Sequence, residues 1–285
     1  MEISQDRQKI FKRIEELERA GIFDRDVEDD PPTEPLDHTK VDYTVKKLST
    51  KIGTWIANRI GHSFFEKKIK NGELIIKEIR GAENFKAVAD RGVLITCNHF
   101  NAFDNYAFYK AIEPHMNGKM LYKIIREGNY TSFGGFYGYL FRHCNTLPLS
   151  SSLAGMKALL SAVKTLLGRG EKILIYPEQS MWYNYRKPKP LKVGAFHFAV
   201  KNNAPVLPIF ITLEDTDKLD ADNCPIQAYT VHILPAIYPD GSLAMRERCE
   251  KVCRENYYAW KQVYESFYGK KLEYTTDGEV EICSI

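Results

Sequence analysis

Asn98-His99-Phe100-Asn101-Ala102-Phe103-Asp104 is the segment of this 285-residue chain best furnished for proton chemistry. It follows an apolar run at residues 92–97 that reads as a strand, so His99 stands at a strand end, held yet exposed. Asp104, a little over one turn later, can fold back onto one ring nitrogen. The other nitrogen is then free to take a proton from a substrate hydroxyl, which makes His99 a candidate general base and Asp104 its orienter. By spacing alone, a structural His–Asp pair explains these residues at least as well.

A second polar segment, Tyr176-Pro177-Glu178-Gln179-Ser180, follows the apolar run 172–175. Loops leaving the carboxyl ends of strands are where α/β sheets place ligands, so the two segments could converge on one pocket. An ordinary proline-containing turn is the competing reading. Cys97, Cys144, Cys224, Cys249, Cys253 and Cys283 show neither zinc-type pairing nor the density of a disulfide scaffold, so buried packing in a reduced compartment is expected, with no metal. No glycine-rich phosphate loop is present, since Gly134-Gly135 lacks the strand–turn–helix context.

The elements that must position these residues follow from periodicity. Apolar runs at residues 74–79, 93–97, 120–125, 146–149, 173–176, 206–212 and 229–234 alternate with helical patterns. This predicts an α/β fold, with a mixed, mostly parallel sheet flanked by helices. Residues 152–167 read as a helix stopped at Gly168, and residues 242–267 as another stopped at Gly269. Upstream, residues 4–20 carry Ile10, Phe11, Ile14 and Leu17 at helical spacing before Gly21. The acidic, proline-containing stretch 24–37 suits an extended linker.

Residues 40–70 combine Lys46, Lys47, Lys51, Arg59 and further lysines with Val45, Leu48, Ile52, Trp55, Ile56, Ile60 and Phe64. Such a stretch is either a helix lying in an anionic membrane interface or a helix covering the domain, and its apolar face alone does not separate the two. The expected organisation is an N-terminal helix and linker at 1–38, a basic amphipathic helix at 39–71 and a catalytic domain at 72–285. Forty basic and 37 acidic side chains leave a net charge of +3, and no nucleic-acid partner is expected. No signal-peptide pattern and no spanning stretch is evident, so a cytoplasmic protein, peripheral on the inner face of a membrane, is expected.

Asn98-His99 followed by Asp104 resembles the His-and-Asp motif of the glycerolphosphate and lysophosphatidate acyltransferase superfamily. Tyr176-Pro177-Glu178 is similar to the start of its Pro-Glu-Gly-Thr-Arg block. Lys192-Val193-Gly194 and Ala204-Pro205-Val206-Leu207-Pro208 resemble the segments that come next in order. The resemblance covers about residues 92–212. It implies direct acyl transfer from acyl-CoA or acyl carrier protein to a hydroxyl of a lysophospholipid or related lipid, without a cofactor. His99 is then the base and Asp104 its partner. Asn98, Lys123, Glu178, Gln179, Ser180 and Lys192 are expected at the substrate, and backbone N–H groups of the 98–101 turn at the oxyanion.

The chain departs from the family in having Gln179-Ser180-Met181 where Gly-Thr-Arg is usual, and in ending the block Leu147-Pro148-Leu149-Ser150-Ser151 in serines rather than arginine. Either Lys123, Arg142, Arg186, Lys187 or Lys192 replaces the missing cations, or the acceptor is a phosphate-free lipid such as a glycolipid. A non-catalytic lipid binder and a thioester hydrolase are the other readings. Trp182, Tyr183 and Tyr185, next to Glu178, are expected at the acceptor or at the membrane interface, and Arg186, Lys187 and Lys189 in a solvated basic loop.

Overall fold

The computed structural model describes residues 2–284. In chain order the elements are α1 (Gln5–Arg19), α2 (Leu48–Lys70), β1 (Ile75–Arg80), α3 (Ala82–Lys86), β2 (Val93–Cys97), α4 (Asp104–Ile112), β3 (Leu121–Ile125), α5 (Glu127–Thr131), α6 (Gly135–His143) and β4 (Thr146–Pro148). There follow α7 (Leu153–Gly168), β5 (Lys172–Ile175), β6 (Leu191–Lys192), α8 (His197–Val200), β7 (Val206–Leu219), β8 (Pro225–Ile233), α9 (Met245–Tyr268) and β9 (Cys283–Ser284).

Seven strands form one sheet in the order β1-β8-β7-β2-β5-β3-β4. All its pairs are parallel except the β7–β8 hairpin, as the alternation of apolar runs predicts. β2 lies at the centre with all five residues buried, because helices cover both faces and neither side of the strand meets water. Its side chains divide by parity. Leu94 joins the core beneath α7 and α9, whereas Val93, Ile95 and Cys97 join the core beneath α3 and α4.

α9 buries Cys249, Val252, Cys253, Asn256, Tyr257, Trp260 and Tyr264 on one stripe and stops at Gly269, whose φ of 65° suits a residue without Cβ. α7 runs one residue further than its sequence suggests. Gly168 is still helical, and the left-handed residue is Gly170 at φ 81°.

The N-terminal segment ends its helix near Gly21 (φ 70°) and continues without helix or strand to residue 37, tied down along its length. Ile14, Phe23 and Val27 share a small core with Trp182 from the loop after β5. Further on, the Glu34 N–H donates to Ser132 Oγ and the Leu36 N–H to Glu127 Oε1, both beyond the end of β3. The segment therefore crosses the carboxyl edge of the sheet, where β3 and β5 end.

Candidate active site

The parallel register sets Thr96 of β2 beside Ile175 of β5, so the two strands release their loops side by side. Asn98 closes the end of β2. It is 3% exposed, its Nδ2 donates to Ile211 O and its Oδ1 accepts the Ile211 N–H, which clamps the strand end to β7. Asn98 thus positions the turn, and its side chain is fully engaged away from any substrate.

His99 Nδ1 lies 2.7 Å from Asp104 Oδ2, with the imidazole 24% exposed and the carboxylate fully buried. The same oxygen accepts the N–H groups of Phe100 (3.1 Å) and Asn101 (3.3 Å), and Oδ1 accepts the Tyr176 hydroxyl. A carboxylate ringed by donors acts as acceptor only, which puts the shared hydrogen on Nδ1 and leaves a lone pair on Nε2. The Tyr176 ring stacks on the imidazole at 3.9 Å and 17°, fixing its plane. Burial and the Asp104 charge push the Tyr176 phenol well up, so it remains a donor. Tyr176 heads the second polar segment but carried no role there; its place directly after β5, level with the end of β2, was the available signal.

Glu178 sits beneath this turn. Its Oε2 accepts the His99 N–H at 3.0 Å and its Oε1 the Lys189 N–H at 2.9 Å, and burial raises its pKa. Lys189 stands 3.7 Å from Glu178 Oε2 and donates to both Ser180 O (2.7 Å) and Ser180 Oγ (2.6 Å). Ser180 Oγ itself donates to Phe23 O. Glu178 and Ser180 therefore hold the two loops together, with Lys189 between them, and neither side chain faces an opening. The loops are also zipped by main chain, Trp182 N–H to His99 O and Asn184 N–H to Phe100 O.

Several expectations are corrected. The N–H groups of His99, Phe100 and Asn101 all point at carboxylates, so they are not the oxyanion donors. Trp182 is fully buried, stacked on Phe23 and donating to Arg25 O, and Tyr183 is buried against α1, so neither is seated in a membrane. The basic loop is not solvated: Lys189 is 1% exposed, Lys187 pairs with Glu18, and Arg186 with Asp215. Gln179 is exposed and takes φ 63°, the left-handed conformation for which the family's glycine is suited.

The candidate replacement cations are all engaged inside the protein. Lys192 Nζ meets Asp24 Oδ2 at 3.0 Å, and Arg142 donates to the carbonyls of Tyr130 and Phe133. Lys123 lies in the body of β3 and donates to Cys144 O, and burial lowers its pKa. No hydrogen bond or ion pair joins Lys123 to His99, Asp104 or Glu178 among the described residues. Among those residues, too, no group of three His, Cys, Asp or Glu side chains could hold a metal.

On α2, the small residues Gly53, Ala57 and Gly61 face inward, with Gly61 against Leu140 and Cys144 at the end of α6. Leu48, Ile52, Trp55, Ile56 and Ile60 are left exposed, Trp55 by 62%. The large apolar face is thus not the packed one. No helix among the described residues is long and apolar enough to cross a membrane.

Residues 76–212 match a family model described as Acyltransferase, a span that contains both loops of the site. Among solved structures, the 1-acyl-sn-glycerophosphate (LPA) acyltransferase PlsC from Thermotoga maritima is similar at 17% identity over 79% of this chain and 81% of that one, with a TM-score of 0.49. No curated protein matches the chain. Residues 76–212, and with them both loops of the site, thus resemble the acyltransferase family.

Proposed function

We propose that the protein moves a fatty acyl group from a thioester, carried on CoA or acyl carrier protein, to a hydroxyl of a lipid acceptor, with His99 as general base. The observation that carries this reading is the imidazole held at Nδ1 by Asp104 and stacked by Tyr176, with Nε2 left as the free acceptor. Nε2 takes the hydroxyl proton as the acceptor oxygen attacks the thioester carbonyl. The C–S bond then breaks, and the imidazolium returns the proton to the leaving thiolate. Cys97 offers no rival nucleophile, since it is fully buried and burial raises its thiol pKa well above the usual value.

Replacing His99 with Ala should lower acyl-thioester consumption by about 10²–10⁴-fold against a panel of lysolipids. Full retained activity overturns the assignment. Thiol release that is independent of any acceptor marks a hydrolase instead, and lysolipid binding without turnover marks a non-catalytic binder.

In the same reading α2 seats the enzyme on the cytoplasmic face of a membrane. Its exposed stripe of Leu48, Ile52, Trp55, Ile56 and Ile60 would enter the interface, while exposed Lys46, Lys47, Lys51 and Arg59 meet anionic headgroups. Residues 1–38 then wall the site, residues 39–71 provide the membrane contact and residues 72–285 the transferase.

A further inference from the structure

A cavity of about 480 Å³ adjoins the His99–Asp104 turn, with Asn101 and Phe103 of that turn in its wall. The N-terminal segment supplies Arg7 and Glu28 to the same wall, and the β7–β8 connection supplies Asp220 and Asp222. With Glu73, the lining holds four carboxylates and one guanidinium.

That guanidinium is already satisfied. Arg7 Nη1 donates to Glu28 at 2.8 Å, its Nε to Asp222 at 3.0 Å, and its plane covers the Tyr183 ring at 3.8 Å. The cations around the neighbouring loops are treated alike: Lys192 is held by Asp24, Arg126 by Asp26, and Lys187 by Glu18. The chain thus places its own carboxylates on the groups a phosphate would need. With Glu73 paired to Lys68, the lining still sets Glu28, Asp220 and Asp222 against one guanidinium, so a phosphate monoester entering the cavity would meet excess negative charge and no uncommitted cation, whereas hydroxyl and ammonium donors would find carboxylate oxygens able to accept a further bond.

We infer that this cavity is the acceptor head-group subsite, that it selects a phosphate-free, amine-bearing lipid alcohol, and that Glu28 and Asp222, by neutralising Arg7, are the specificity-determining residues. The inference rests on the acyl-transfer reading above. It also makes the N-terminal segment part of the substrate site.

The test compares three acceptors with the same acyl chain: monooleoylglycerol, its phosphate monoester, and the analogue with an amine in place of the phosphate. The wild-type protein should favour the amine over the phosphate by about tenfold or more in kcat/KM. In the double variant E28Q/D222N, which frees Arg7, that preference should fall by about tenfold or invert. Glu28→Gln alone, at a half-exposed position, should move the ratio the same way and serves if the double variant does not fold. A wild-type preference for the phosphate, or an unchanged ratio in the variants, overturns the inference. Should no acceptor be acylated at all, the transfer reading fails separately, and calorimetric binding of glycerol phosphate and aminopropanediol to wild type and variant still decides the selectivity: tighter phosphate binding by the wild type refutes it, and tighter amine binding upholds it.

Discussion

Replacing Lys189 with Met removes the pin beneath the His99–Asp104 turn, and the structure sets the size of the effect. Lys189 and Glu178 are each 1% exposed at the side chain, and burial draws the Lys189 pKa from 10.5 down to about 8 even with the Glu178 charge opposing it. At roughly 1.4 kcal/mol per pKa unit, holding the ammonium charged at neutral pH costs about 3 kcal/mol. The variant escapes that cost but strands the Glu178 carboxylate, and the net loss on breaking a buried pair from one side, with such relief included, is typically ~3–5 kcal/mol.

We therefore expect K189M to lose about 3 kcal/mol or more in urea unfolding near pH 7, and the melting temperature to fall by roughly 5–10 °C. E178Q/K189M should lose less than the sum of the two single changes. The pH dependence has a definite sign. Lys189 titrates near 8 when folded and near its ordinary value, about 10.4, when unfolded, so between those values the unfolded chain binds the extra proton and this group's contribution to stability rises with pH. The wild-type-minus-variant difference should accordingly be larger at about pH 9.5 than at about pH 7. A cost below about 1 kcal/mol, together with parallel pH curves, would refute the idea that this pair pins the turn.

Tyr176→Phe keeps the ring on the imidazole and removes only the hydroxyl bond to Asp104, so kcat should drop by about 10–100-fold with KM within about twofold; an unchanged kcat removes Tyr176 from the positioning role. Changing Ile52, Trp55 and Ile56 together to Asn leaves the α6-facing side of α2 intact and should abolish co-sedimentation with anionic vesicles, while wild-type binding weakens as salt is added. Unaltered sedimentation of that triple variant speaks against the membrane assignment.

Local signals make much of this protein legible in its sequence. The strands at β2 and β5 are short, mostly apolar and bounded by polar turns, so neighbouring residues suffice to identify them. His99 and Asp104 are five positions apart, and one turn of chain brings them together. What the sequence did not disclose lies across long separations. Whether Lys189 is solvated or buried depends on Glu178 and Ser180 in another arm of the same loop, and on Phe23 more than 150 residues away, which takes the Ser180 hydroxyl.

The same holds for Arg7, whose partner Asp222 is 215 residues distant, and for α2, where packing of small residues on α6 leaves Leu48, Ile52, Trp55, Ile56 and Ile60 facing outward. Periodicity reports only that a helix has an apolar face and a basic one. Which face meets protein, and which cation keeps its charge free for a ligand, is set by the surfaces that the rest of the chain brings alongside, because burial and ion pairing are properties of neighbours in space.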